Sequence, residues 1–574
     1  MSKAKILFLL TEDWFFCSHF IERAIAAQEA GYEVLIVARE REHGGQIRAA
    51  GLRFIGHELE RRSANPIKEL SLFWQIITLY RRERPDIVHH VSPKPILYGT
   101  AAALLTGVTA IVNAPIGMGY IFSAHDWRAY LLRPFIYIAY RILANPRRSR
   151  VIFENGDDLK IFVQWDAVSA SDAVLIRGAG INLDKFRPSA KQNPVPVVAF
   201  VARMLRDKGV NEFVAAAHVL HDRGVVARFV LVGSPDPMNP TSITEEVLRS
   251  WHGKKSVEWW GWRENIPQVL SEIDVMCLPS YREGLPKSLL EAAACALPIV
   301  TTDTPGCREV VKDGDNGFLV PTRNVPLLAE AINKLLCDPT LRERMGERSR
   351  EIAAQEFRSE LVIAKTLSVY RNLLPRSQDV RSSMLNAFAK ILLDRIGALF
   401  ALIFFLPAIL LIALLVRATS KGPAFHWSSR VGRHNRLFKM PKFRTMHLGT
   451  PNVASHLMTD SGRYLTPVGS FLRKTSLDEL PQLWSILVGD MGFVGPRPAL
   501  FNQDDLIALR TQHSIHEILP GLTGLAQING RDELSVEEKV RFDLEYLQRQ
   551  SCLFDLKILW ITLVKVFHRE NVSH

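Results

Sequence analysis

Cysteine is scarce and scattered: six in 574 residues, at 17, 277, 295, 307, 337 and 552, with no CxxC pair. That spacing excludes a disulfide framework and a zinc site and fits a reducing compartment. No secretory leader is expected at the N-terminus. The opening MSKAKILFLLTEDW has an apolar run of only five residues, Ile6 to Leu10, and no small-residue cleavage site, so a first β-strand is expected there. Long apolar runs are absent except for one, which disfavours a multi-span transporter. No aromatic-basic recognition motif accompanies the net charge of +12, so nucleic acid is not an expected partner and other anions are. Acid is absent from Arg417 to Arg444, a stretch with eight Lys/Arg and no Asp/Glu. A basic cluster of that kind beside a membrane favours anionic phospholipid.

Three territories follow. Residues 1 to about 372 alternate short apolar runs with longer amphipathic stretches. KILFLL, YEVLIVA, PDIVHHV, AIVNAP, RVIFEN and AVLIRGAG form one series; VVAFVAR, RFVLVG, SVEWWGW, DVMCLPS, LPIVTT and GFLVP form a second. The alternation predicts an α/β fold of two Rossmann-like lobes, 1–185 and 186–374, joined near FRPSAKQNPVPVV. Ligands of such lobes sit in the cleft at the carboxyl ends of the strands. Polar residues 375–383 read as a linker.

The one long apolar run is Ile396 to Val416, 21 residues without a charge, enough to span a bilayer. Pro407 lies in its middle, where it deletes a backbone hydrogen bond and kinks a helix. Lys390 and Arg395 precede the run, and Arg417 and Lys421 follow it, so both ends satisfy the positive-inside rule. A re-entrant segment over 384–417, with both ends on one face, accounts for both facts; a plain kinked span is the alternative. LFDLKILWITLVKVF (553–567) suits either the interface plane or a core helix.

In TSLDELPQLW, Ser476 and Glu479 are spaced as a capping box, and Pro481 fits a helix start. The pair Asp478-Glu479 therefore reads as an ordinary helix N-terminus or as chemistry. Its surroundings favour chemistry: KFRTM upstream, GDMGFVGPRP downstream with Arg497 between two prolines, and LPGLTGLAQINGR ending in Arg531. A guanidinium on rigid backbone suits phosphate recognition.

These blocks, over 384–574 and in the same order, resemble the bacterial sugar transferases, the monotopic phosphoglycosyl transferases that start lipid-linked glycan assembly. The resemblance implies a small α/β catalytic domain (418–574) after a re-entrant helix broken at proline, matching Pro407. It implies transfer of a sugar-1-phosphate from a UDP-sugar to polyprenyl (undecaprenyl) phosphate with Mg²⁺. Asp478 would be the nucleophile, forming an aspartyl-phosphosugar with loss of UMP, and Glu479 would hold the metal. Lys442, Arg444, Arg497 and Arg531 are the candidates for phosphates and nucleotide. Gly492 departs from the serine usual in the family.

In the first territory, ARMLRDKG carries Arg203 and Lys208, and EGLPKSLLEAAACALPIVTTDTPGCREVV carries Glu283 and Glu291, eight residues apart. With a helix starting after Pro286, Glu291 lies on it and Glu283 in the loop at its mouth, so both face one ligand. Over residues 5 to about 372 the set resembles the family-4 glycosyltransferases of GT-B fold, retaining enzymes that use nucleotide sugars, usually without metal. The resemblance implies that Arg203 and Lys208 stabilise the leaving diphosphate, Glu283 contacts the donor sugar and Glu291 the nucleotide ribose. Gly117 and Gly119 of NAPIGMGY would border the acceptor site. That loop lacks the histidine many relatives carry; His19 in FCSHF is a substitute only if it is not simply a helix-start residue.

Together the halves predict a bifunctional enzyme on the cytoplasmic face of the bacterial inner membrane. One half loads the first phosphosugar and the other adds a second sugar from another nucleotide sugar, a homodimer being compatible with this. The alternatives are a silent GT-B half acting as a docking module, and a non-catalytic membrane scaffold.

Overall fold

All twelve apolar runs of the first territory become strands in the computed structural model. The structure describes residues 3–59, 65–116, 127–146, 148–189, 193–237, 239–253, 257–374, 380–448, 450, 464–530 and 534–568. The chain forms two compact units, Met1–Gln378 and Asp379–His574.

The first unit holds two parallel sheets. One contains β1 (Lys5–Glu12), β2 (Glu33–Arg39), β3 (Arg53–Gly56), β4 (Ile87–Val91), β5 (Ala110–Ala114), β6 (Ser149–Phe153) and β7 (Ala173–Leu175), in the order β3-β2-β1-β4-β5-β6-β7. The other contains β8 (Val197–Val201), β9 (Arg228–Val232), β10 (Val257–Gly261), β11 (Val275–Leu278), β12 (Ile299–Thr302) and β13 (Gly317–Val320), ordered β10-β9-β8-β11-β12-β13. Only β3 lay outside the sequence expectation; its four residues RFIG are too few for a period to declare itself. Ile6 to Leu9 of β1 are wholly buried because helices cover both faces, which is why these strands read as unbroken apolar runs. In each sheet the strand order reverses once, between β1 and β4 and between β8 and β11, and these are the switch points where a ligand-binding crevice opens. This is the expected GT-B architecture, with one departure from simple succession. The helix Ser359–Leu373 follows the second lobe in sequence, yet its Val362, Val369, Tyr370 and Leu373 belong to the core of the first.

The second unit begins with a helix of 40 residues, Val380–Thr419, so the polar stretch 380–383 is helical rather than linker. Leu, Ile and Phe side chains on its outer face are exposed, Phe404 at 76% and Leu414 at 67%. Its inner face is not free. Ala398 packs with Met440, Leu483, Ile486 and Met491, and Ile409, Ile412 and Val416 pack with Phe443 and Leu472. Pro407 lies inside this helix, whose assignment runs through it. The expected break is therefore not an interruption: a proline removes one ladder hydrogen bond, and a bend absorbs the ring. The rest comprises an antiparallel hairpin, β14 (Phe425–Val431) and β15 (Leu437–Phe443), and a short parallel pair, β16 (Gly492–Val494) and β17 (Gly521–Thr523), with helices Gly469–Lys474, Gln482–Val488, Asp504–Gln512, Val536–Arg549 and Cys552–His568.

Candidate functional site

In the second unit five chain segments converge on the acidic pair. Asp478 and Glu479 lie on a single 3-10 turn, Leu477–Glu479, between two short helices. The capping box does not form: Ser476 adopts φ 54° and its side chain makes no cap bond, because it closes the preceding helix rather than opening the next. Pro481 does precede the helix Gln482–Val488, as expected. From β15, Lys442 Nζ donates to Glu479 Oε1 at 3.1 Å, and from the loop after β16 Arg497 Nη2 reaches the same oxygen at 3.5 Å. Arg430 of β14 and Gln482 line the pocket with them.

Electrostatics set the pair's state. Burial pushes the Asp478 carboxyl above the ordinary aspartate range, and neighbouring Glu479 pushes the same way, opposed by Lys442 and Arg473. Burial lowers Lys442 from the usual lysine range against the pull of Glu479. The cations around this turn (Arg430, Lys442, Arg473 and Arg497) outnumber its carboxylates, as a diphosphate ligand requires. Arg497 is held from behind: Arg510 Nη1 donates to its carbonyl at 2.8 Å, and Arg510 is fixed by buried Asp543 at 2.6 Å.

Two sequence candidates stand apart. Arg444 does not join the pair; its guanidinium donates to the carbonyls of Ser420 (3.0 Å) and Lys421 and to Ser420 Oγ (2.7 Å), capping the long helix. Arg531 lies outside the described residues, as do Gly117 and Gly119 of the first unit. Conversely, Arg430, Arg473 and Gln482 were not picked out as site residues. Arg473 lies within the quoted LRKTSLDELPQLW block, five positions before Asp478, and Gln482 three after Glu479. Gln482 is 3% exposed and its Nε2 has no partner among the described residues.

Does the pair fit Mg²⁺? Among the described residues no three His, Cys, Asp or Glu gather as a ligand set. Mg²⁺ is ordinarily held by one or two carboxylates, with substrate phosphates and waters completing the shell. Adjacent Asp478 and Glu479 meet that requirement, and neither makes a protein cage.

In the first unit, Arg203 and Lys208 follow β8 and Glu283 follows β11, the two strands flanking the switch point. Lys208 Nζ binds both Glu283 oxygens at 2.5 and 2.7 Å, and Ser280 Oγ donates to Oε1 at 2.5 Å. Gly209 (φ +78°) lets this turn approach Pro279, where any Cβ would strike its carbonyl. Arg203 pairs with Asp236 at 2.6 Å and sits over Trp14 at 5.6 Å. Glu291 is on the helix Lys287–Ala294, as spacing suggested; burial raises its carboxyl, and Lys287 stands 3.7 Å away. His19 ends the helix Asp13–His19 rather than starting one, and stacks on Phe15 at 4.2 Å. Burial, then Lys287 and Arg23, press it down to about 3, so it is neutral. Glu154, at the end of β6, escaped sequence reasoning because nothing local marks it. Burial raises it to about 7, with Asp158 and Glu283 adding to the effect and Arg23 opposing. Polar bridges join the lobes around this cleft: Lys287 Nζ to Ser18 O (2.7 Å), Asn155 Nδ2 to Gly284 O (2.8 Å), and Gly156 N–H to Glu309 Oε1 (2.9 Å).

Comparison with known proteins gives the same division. Residues 5–155 match the family profile "Glycosyl transferase 4-like", 182–352 match "Glycosyl transferases group 1", and 385–569 match "Bacterial sugar transferase". A similar curated protein is the N,N'-diacetylbacillosaminyl-diphospho-undecaprenol alpha-1,3-N-acetylgalactosaminyltransferase of Campylobacter jejuni, 30% identical over 60% of this chain and 92% of its own. Another is the UDP-glucose:undecaprenyl-phosphate glucose-1-phosphate transferase of Escherichia coli, 38% identical over 33% of this chain; this chain spans 42% of that protein's length. Among solved structures, the Anabaena protein HepE in complex with UDP and glucose superposes with TM-score 0.52 at 18% identity, covering 64% of this chain and 99% of its own, a likeness of fold.

Proposed function

The chain belongs to the 4-like and group 1 glycosyl transferases by its first unit and to the bacterial sugar transferases by its second, and from that premise we propose two consecutive steps of lipid-linked glycan assembly. The second unit transfers a sugar-1-phosphate from a UDP-sugar to undecaprenyl phosphate. The first unit then adds a second sugar, with retention, to the resulting lipid diphosphate. The observation that carries this is the convergence of Lys442 and Arg497, from two separate segments, on Glu479 beside Asp478 in one turn.

In the first step an Asp478 carboxylate oxygen bonds the sugar-bearing phosphorus as its bond to the bridging oxygen breaks. UMP leaves with the electron pair. A phosphate oxygen of undecaprenyl phosphate then takes the phosphosugar and frees the carboxylate. Lys442, Arg430 and Arg497 bind and orient the diphosphate, and Lys442, then Arg473, oppose the rise that burial imposes on Asp478. Glu479 would hold Mg²⁺, which when bound would supply charge neutralisation at the diphosphate. In the second step Arg203 and Lys208 stabilise the departing nucleoside diphosphate, Glu283 contacts the donor sugar and Glu291 the ribose. The relatives' acceptors and donors, diphospho-undecaprenol and UDP-sugars, supply the substrate classes.

The same reading places both units on the cytoplasmic face, where nucleotide sugars are. Supporting it, the long helix is tied to one globular domain at both ends: Lys390 Nζ to Val494 O (3.0 Å) and Asp555 (2.5 Å), and Ser420 and Lys421 to Arg444. Those anchor points are about 45 Å apart along a straight helix, deeper than a bilayer core. A domain that holds both ends of one helix favours a segment seated along that domain over a free span.

Purified protein with undecaprenyl phosphate, Mg²⁺ and a panel of UDP-sugars tests the proposal. Release of both UMP and a nucleoside diphosphate is expected. UMP alone would make the first unit a docking module, and neither product across the panel would refute the proposal.

A further inference from the structure

Glu154 differs from the carboxylates around it. Asp158 and Glu283 lie near enough to act on it, and both are already bonded. Glu283 is held by Lys208 and Ser280, and Asp158 accepts from Asn155 Nδ2 at 3.0 Å and Arg282 Nη2 at 3.4 Å. Glu154 is 8% exposed and, among the described residues, has no hydrogen bond or ion pair. Arg23, the cation that acts on it, donates Nη2 to the Gly178 carbonyl instead. A carboxyl group buried without a partner is costly to keep, so it marks a place where a ligand completes the bonding.

The fold puts this place in the crevice. Glu154 directly follows β6, at the carboxyl edge of the first sheet, and Glu283 stands beyond the carboxyl end of β11 in the second. The bond from Asn155 to the Gly284 carbonyl joins the residues immediately after each, so Glu154 and Glu283 reach the same point of the cleft from opposite lobes. With Lys208 at the donor diphosphate and Glu283 at the donor sugar, Glu154 is the first-lobe group beside that sugar. His19 does not compete for the role. Burial, then Lys287 and Arg23, hold it near 3, too low for a base at neutral pH.

We propose that Glu154 is the catalytic base of the first unit: its carboxylate accepts a hydrogen bond from the attacking hydroxyl of the acceptor sugar and takes the proton. The inference rests on the reading that this unit adds a second sugar to a lipid diphosphate. The hydroxyl oxygen bonds C1 of the donor sugar as the bond from C1 to the diphosphate oxygen breaks. The electron pair leaves with the nucleoside diphosphate, the proton passes to Glu154, and water takes it once the products leave. Burial raises this carboxyl to about 7 against Arg23, with Asp158 and Glu283 adding to the rise, so it titrates where a base works best at neutral pH.

The full-length protein is given sugar-bearing undecaprenyl diphosphate and a panel of UDP-sugars, and UDP release is followed across neutral pH. Wild-type kcat is expected to fall as pH drops through about 7. Glu154→Gln is expected to lower kcat at least about a hundredfold and to lose that acid limb, with UDP affinity, which reports the fold, unchanged. Added formate is expected to restore part of the rate of Glu154→Ala. A Glu154→Gln protein that keeps the wild-type kcat and acid limb would give the proton to the departing diphosphate and overturn the proposal. Loss of rate together with UDP affinity, without rescue by formate, would make Glu154 a structural group and overturn it too. A wild-type protein that releases no UDP with any donor would remove the underlying reading, and this assignment with it.

Discussion

Asp478 is buried beside one carboxylate and among cations, and those opposing forces make its behaviour testable. Asp478→Asn keeps the shape and removes the carboxylate proposed as nucleophile, so UMP release is expected to fall at least about a thousandfold, measured as nucleotide product. Since Lys442 holds the Asp478 carboxyl down, Lys442→Met is expected to move the acid limb of the rate profile to higher pH; an unmoved limb would detach Asp478 from the titration. Glu154 offers a test in the other unit. Its carboxyl rises from 4.5 to about 7 on folding, so the folded state holds the proton more tightly. Its contribution to stability is present below about pH 4.5 and is lost as pH rises through 7. Glu154→Gln is expected to raise the unfolding midpoint at pH 8 but not at pH 4, by on the order of 3 kcal/mol, in paired denaturation curves. Local blocks made Asp478, Glu479, Lys442 and Arg497 legible, since each lies in a short stretch of unusual chemistry. Arg444 misled for the same reason: a charge count does not say whether a guanidinium faces a ligand or the carbonyls ending a helix 24 residues earlier. Glu154 had no local mark, its environment being assembled from distant segments.

At the scale of elements, twelve strands declared themselves because parallel sheets covered on both faces leave unbroken apolar runs, most of them buried. The return of Ser359–Leu373 to the first lobe was invisible, because amphipathicity tells that a helix packs and not on which core. The long helix is seated by a buried network: Lys390 binds Asp555 and Val494 O, and Tyr546 Oη donates to Asp555 (2.8 Å) and Val494 O (3.1 Å). Val494 immediately precedes the GPRP loop bearing Arg497, so the network that seats the helix also holds the start of that loop. Lys390→Met strands the Asp555 and Asp394 charges and is expected to cost about 3–5 kcal/mol, of which the double variant Lys390→Met/Asp555→Leu recovers the Asp555 part. Gly492 belongs to the same junction: a Cβ there would lie 2.7 Å from Asp394 Oδ2, so Gly492→Val is expected to destabilise the domain.

For the whole molecule, the account couples two chemistries through one lipid. On the proposed reading, the sugar-bearing lipid diphosphate made by one unit is the acceptor of the other, and tethering raises the local concentration of that intermediate. With both donors present, the disaccharide-lipid is expected to form without the lag shown by the two activities supplied on separate chains carrying Asp478→Asn and Glu283→Ala; equal lags would remove any advantage of fusion. The most direct measurement on the central claim is the intact mass of the protein after brief exposure to a UDP-sugar and Mg²⁺ without lipid phosphate. The account predicts added mass equal to one phosphosugar, mapped to Asp478 and discharged when undecaprenyl phosphate is added. Lipid product accumulating at full rate from a protein that never carries that mass would contradict it.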